Sequence, residues 1–210
     1  MTKIASALLA AALAAGMAGC NSGPAPKPNP EAAPAKPPAT QTVTGREAFQ
    51  QLYATARLWA GDARPYREQS GTLKDANGQG GKAPIWFAGF ASPSRRGLKN
   101  FTWSGTHDPD APSYGVSSNV EDTYNPSNTS TLIFDIAFLK VDSDKAFDEA
   151  QKHGGDKLLK KNPKTPVTYV LDWQPQANSL YWHVLYGDSQ NPELRVAVDA
   201  TKGTFVRIEH

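Results

Sequence analysis

From residue 167 onward, large apolar residues fall on every second position in four successive runs. Val167, Tyr169, Leu171 and Trp173 form the first run, and Leu180, Trp182, Val184 and Tyr186 the second. Leu194, Val196 and Val198 make the third, then Thr204, Val206 and Ile208 the fourth. A β-strand turns successive side chains to opposite faces, so this period gives each run one apolar and one polar side. A helix would need its apolar stripe at a spacing of three and four. Four such runs separated by short polar breaks predict an antiparallel sheet with two unlike faces. Residues 199–203, Asp-Ala-Thr-Lys-Gly, supply the last tight turn, with Gly203 suited to positive φ.

Two helices are expected upstream. Thr44 and Glu47 have capping-box spacing, and Ala48, Phe49, Leu52, Tyr53, Ala56 and Trp59 form an apolar stripe behind them. Gly61 and Pro65 are expected to stop that helix. Asp142 or Ser143 caps a second helix carrying Ala146, Phe147 and Ala150, which Gly154 and Gly155 should end. Between the helices, residues 84–91 and 97–103 read as paired strands, after a hairpin loop containing Gly78, Gly80 and Gly81. Residues 105–130 read as loop with a short strand near 114–118, and the β-branched start of 131–141 predicts a central strand. The expected fold class is α+β: two helix-on-antiparallel-sheet units, residues 43–141 with a loop-rich insert and residues 142–210. Ala48-Phe49 matches Ala146-Phe147 at an offset of 98, and Trp86 and Leu98 match Trp182 and Leu194 at an offset of 96. Near-equal offsets in matching elements suggest a duplication whose halves could join edge to edge.

The N-terminal region carries a different message. Lys3 precedes an apolar run over residues 4–18, and Met17-Ala18-Gly19-Cys20 closes it. A positive start, a short apolar stretch and small residues before a processing point form an export signal. The run is shorter than the roughly 20 apolar residues that span a bilayer. Its small-small-Cys ending resembles a bacterial lipobox. That resemblance implies removal of residues 1–19 and lipid on the sulfur and new amino group of Cys20, the chain's single cysteine. An ordinary secretory signal followed by a chance cysteine is the alternative. Asn21 stands where Asp would signal inner-membrane retention, so similarity to lipoprotein sorting implies the outer membrane, facing the periplasm. Residues 21–42 hold seven prolines and five alanines. Proline has no amide hydrogen and a fixed φ, so residues 20–42 should be a lipidated, extended tether. At about 3.1 Å per residue it reaches roughly 60 Å.

From Val43 onward the chain has 19 basic and 19 acidic residues. Nucleic-acid binding needs a strong positive field, which this balance does not provide. With Cys20 lipidated, no thiol remains for disulfides or thiolate chemistry. The four histidines, at 107, 153, 183 and 210, form no zinc-binding spacing, and no nucleophile elbow or phosphate loop is present. No catalytic residue, metal or cofactor is therefore expected. His183 points away from Trp182 and is expected on the solvent side of its strand. Trp59, Trp86 and Trp182 lie in phase with apolar neighbours and should be core. Trp103 and Trp173 sit at strand ends beside loops; with Tyr114 and His183 they are the candidate binding residues.

Residues 143–208 resemble a PepSY-type module, one of the cystatin-like α+β folds. The likeness rests on the helix at 144–152, the strand LYWHV at 180–184, and LRVAVDATKGTFVRI at 194–208. The resemblance implies extracytoplasmic binding or restraint of peptidases, with no catalytic residues. The expected function is thus a non-catalytic envelope module binding a protein or peptide through a sheet face or edge. The alternatives are a small-ligand or glycan carrier with Trp103 and Trp173 in one cavity, and a hydrolase assembled from scattered residues. The sequence leaves the oligomeric state open.

Overall fold

The computed structural model describes residues 38–74 and 76–209. The export signal, Cys20 and the tether through residue 37 lie outside the described residues. Strand β1 (Val43–Thr44) leads into helix α1 (Gly45–Trp59). Its cap is the expected box: Glu47 N donates to Thr44 Oγ1, and Thr44 N donates to Glu47 Oε2 at 3.0 Å. The chain then runs through β2 (Arg64–Gly71), a short 3₁₀ turn, β3 (Lys82–Ala83), β4 (Ile85–Ser92) and β5 (Gly97–Ser104). Two short strands, β6 (Gly115–Ser118) and β7 (Asp122–Thr123), both pair with β5. After a long connection come α2 (Ser143–Ala150), a π-turn at Gln151–Gly155, and α3 (Asp156–Lys161). The four alternating runs become β8 (Val167–Gln174), β9 (Ser179–Gly187), β10 (Pro192–Asp199) and β11 (Phe205–Glu209).

The fold is α+β, with one nine-stranded antiparallel sheet in the order β11-β10-β9-β8-β2-β4-β5-β6 and β7 beside β5. The two halves meet where β2 pairs with β8, Arg67 opposite Asp172 and Glu68 opposite Leu171. Helices α1 and α2 pack their small and apolar residues, Ala48, Leu52, Ala56, Ala146 and Ala150, into one core with Trp86, Phe90, Tyr169, Trp182 and Val196. These strand residues share one face, so the helices cover one side of the sheet. Trp86 and Trp182 meet edge-on at 6.3 Å and make matching bonds: their Nε1 groups donate to Val43 O and Val141 O, at 3.1 and 2.9 Å. The two helix starts are also tied together. Thr44 Oγ1 donates to Asp142 Oδ2 at 2.7 Å, and Gly45 N donates to Ser143 Oγ at 2.7 Å.

One local expectation is corrected. Residues 131–141 form no strand; the segment contains 3₁₀ turns at Thr129–Thr131 and Ile136–Phe138. The Asp135 side chain accepts from Ala137 N and so favours a turn over a ladder, while Phe134 and Leu139 drop into the core. Phe134 N donates to Pro65 O, so the segment skirts the end of β2 rather than joining the sheet. At Gly154, with φ 112°, the backbone leaves the helical conformation, as expected, and a separate short helix, α3, follows. A Cβ on Gly155 would stand 2.2 Å from Tyr186 Oη, so the missing side chain lets the helix settle onto β9.

One core position is polar. Glu68, at the centre of the sheet, is fully buried, and neither carboxylate oxygen has a partner among the described residues. Burial pushes its carboxyl well above the usual range, helped by the charge of Asp142. Burial therefore favours the protonated form of Glu68.

Candidate functional site

The other face of the sheet carries no helix among the described residues. Its chemistry follows from strand register. Asp172 lies on β8, His183 on β9, Arg195 on β10, and Arg207 and Glu209 on β11, all in the phase opposite to Leu171, Trp182 and Val196. Arg67 joins them from β2, directly opposite Asp172. These side chains line an open cavity of about 570 Å³. Arg67 also lines three adjoining cavities of about 460, 350 and 270 Å³, which makes it the centre of the polar surface.

His183 is the anchor, and its environment corrects the solvent-side expectation. It does lie on the face opposite Trp182, but it is only 6% exposed. Its Nδ1 stands 2.6 Å from Glu209 Oε2, and its Nε2 stands 3.1 Å from Asp172 Oδ1. Ionised carboxylates accept and cannot donate, so both contacts are hydrogen bonds only when each ring nitrogen carries a proton. The geometry thus selects the imidazolium. Burial alone would push the His183 pKa down, but the bonds and charges of Asp172 and Glu209 outweigh it and hold the pKa raised. Burial likewise opposes ionisation of Asp172, yet His183, Gln174 and Arg67 together keep its carboxyl below the ordinary value. Glu209 is lowered in the same way by His183 and Arg207, against its burial. The carboxylates stand at different nitrogens of the ring, so the three groups do not converge on a point. Among the described residues no cluster of His, Cys, Asp and Glu is arranged to hold a metal ion.

The remaining charges pair unevenly. Asp172 Oδ2 lies 3.5 Å from Arg67 Nη1, and Glu209 Oε1 accepts from Arg207 Nη2. Both carboxylates are thereby engaged on both oxygens. Arg195 is left over: its Nε stands 3.9 Å from Glu209 Oε2, beyond hydrogen-bond range.

The other candidate residues do not gather here. Trp103 is 5% exposed in the helix-covered core. Trp173 packs edge-on against Phe138 at 5.0 Å and lines the 460 Å³ cavity beside Arg67. The two tryptophans therefore do not share that cavity. Tyr114 is half exposed, stacked on His107 at 4.3 Å, next to β6 at the far edge of the sheet. Sequence reasoning missed Arg67, Asp172, Arg195, Arg207 and Glu209. A signal for most of them existed: each of the four C-terminal strands carries an ionisable residue in the phase opposite its apolar run.

No family model matches the chain. No curated protein matches it either. Among solved structures it is similar to the crystal structure of a "putative lipoprotein" from Clostridium difficile 630, at 12% identity and a TM-score of 0.50. The match covers 77% of this chain and 91% of that one. At that identity the likeness shows a shared fold. No helix among the described residues is long and apolar enough to cross a membrane.

Proposed function

We propose that this chain is a lipid-anchored protein of the bacterial envelope whose open sheet face binds a protein or peptide without catalysis. The observation that carries the reading is the uncovered polar face, with its charged cavity built around a buried His183. The lipobox-like ending at Cys20 supports lipidation and, with Asn21, an outer-membrane address facing the periplasm. The name of the structural neighbour agrees with a lipoprotein. Helix-then-four-strands over α2 to β11 fits the PepSY-like reading, and the matching Trp86 and Trp182 bonds support descent of both halves from one repeated unit. His183 is locked between two carboxylates already paired with cations, and the cavity lining offers no hydroxyl or thiol nucleophile, which favours binding over hydrolysis.

The test places a photocrosslinking residue at Gln69, on the open face, or at Leu58, which is 89% exposed on α1, in the full chain in its native envelope. One adduct formed from position 69 and absent from position 58 is expected. An adduct from position 58 alone would overturn the sheet-face reading. Cell-wall fragments captured at position 69 would replace the protein or peptide with a glycan.

A further inference from the structure

The open face carries more positive than negative charge. Four cationic groups meet there, the guanidiniums of Arg67, Arg195 and Arg207 and the His183 imidazolium, against the carboxylates of Asp172 and Glu209. His183 and Arg207 occupy the two oxygens of Glu209, and His183 and Arg67 face the two oxygens of Asp172. Arg195 keeps only a long ion pair of 3.9 Å, from Nε to the Glu209 Oε2 that already bonds His183. Its guanidinium makes no hydrogen bond among the described residues, and its Nε is buried without a partner. A second buried group in the same state, the Thr168 hydroxyl, lines the same 270 Å³ cavity as Arg195 and Arg67. An unpaired buried donor costs about 1–3 kcal/mol, so two in one place mark a surface completed by something else.

We propose that Arg195, with Arg67 lining the same cavity, receives the C-terminal carboxylate of a bound peptide. The inference rests on the peptide-binding reading of this face and names its anchor. A planar carboxylate matches the guanidinium fork in a two-bond arrangement. Inorganic phosphate answers the same positive charge but brings no apolar part to this cavity. Phe87, Val170 and Leu185 line the same cavity and offer an apolar floor to the residue next to the carboxylate. Gln69 and Gln190 line it too and supply amide groups suited to a peptide bond.

The test titrates the full-length protein with N-acetyl-Ala-Ala-Leu as the free acid, with the same peptide as its C-terminal amide, and with inorganic phosphate. NMR of the arginine Nε–Hε signals reads the result. The free acid is expected to shift the Arg195 signal saturably, and the amide to bind roughly tenfold more weakly or worse. Arg195→Gln should erase that preference, and Arg195→Lys should reduce it, while Lys157→Gln leaves it intact. Equal binding of acid and amide, or phosphate binding tighter than the free acid, would overturn the proposal; neither comparison needs a variant to fold. If acid and amide bind alike while the Gln69 crosslink still captures its partner, the carboxylate anchor fails and the face reading stands. Binding of the free acid without any envelope crosslink at Gln69 reverses that outcome.

Discussion

Trp182 and His183 are neighbours on β9 and both are nearly inaccessible, at 0% and 6% exposure. They are buried for opposite reasons. Trp182 lies under the helices against Trp86, with its one polar atom bonded to Val141 O. Water exclusion and packing hold it, and these forces depend little on pH. His183, one residue on, has no helix above it. It is enclosed by the charged side chains of β8 and β11, and its stability depends on which of them carry protons. The sheet thus separates a core held by area from a face held by charge pairing.

The largest expected effect tests the first side. Trp182→Ala should destabilise the fold by about 3–5 kcal/mol, equally at pH 5 and pH 8, in denaturant titrations. A strongly pH-dependent loss would break the comparison.

His183→Leu comes next, at about 2–3 kcal/mol, because it leaves Asp172 and Glu209 facing each other without their shared cation. Its raised pKa means that the histidine's contribution is full below the ordinary value of 6.5 and fades as pH rises through the folded value. Asp172 and Glu209 are lowered, so their contributions are full above 3.8 and 4.5 and fade as pH falls below those values. Wild type and variant should therefore differ most between about pH 5 and 6.5, by thermal unfolding across pH. Anion affinity at Arg195 should weaken over the same alkaline limb, as the site loses one positive charge. The groups facing His183 in that response are Asp172, Glu209, Arg67, Arg195, Arg207 and the neutral Gln174.

Glu68→Leu sharpens the contrast with an opposite sign. Its folded pKa is raised, so wild-type stability is full below 4.5 and is lost as pH rises above it. The variant should gain about 1–2 kcal/mol at pH 7 and nothing at pH 4, read from denaturation midpoints. The smallest effect belongs to Thr44→Ala, which removes a cap and the link to Asp142. About 1 kcal/mol is expected, and a loss below 0.3 kcal/mol would show that Glu47 and Asp142 hold the helix start without it.

β2 explains why part of the site was unreadable. Its sequence, Arg-Pro-Tyr-Arg-Glu-Gln-Ser-Gly, shows no apolar alternation, yet it is the strand that joins the two halves. Its core-side positions are Glu68 and Ser70, which neighbouring strands bury. Pattern reading therefore placed the central strand at residues 131–141, where real apolar content serves turns that drop Phe134 and Leu139 into the core. Arg67 went unnoticed for the same reason. Strand phase gives His183 the right face but not its environment, since phase reports direction and says nothing of what stands in that direction.

The sequence alone determined the strands β8 to β11, the capped start of α1 and the aromatic content of the core, because alternation, capping chemistry and apolar mass are local properties. It also raised the expectation of an export signal and a tether over residues 3–42, most of which lie outside the described residues. Only the tertiary structure decided that β2 closes two four-strand sets into one sheet. It also enclosed His183 between carboxylates 11 residues before it and 26 after it, and left the Arg195 Nε without a hydrogen bond among the described residues. Those outcomes depend on which charges meet across strands, and the register that brings them together is a property of the whole sheet.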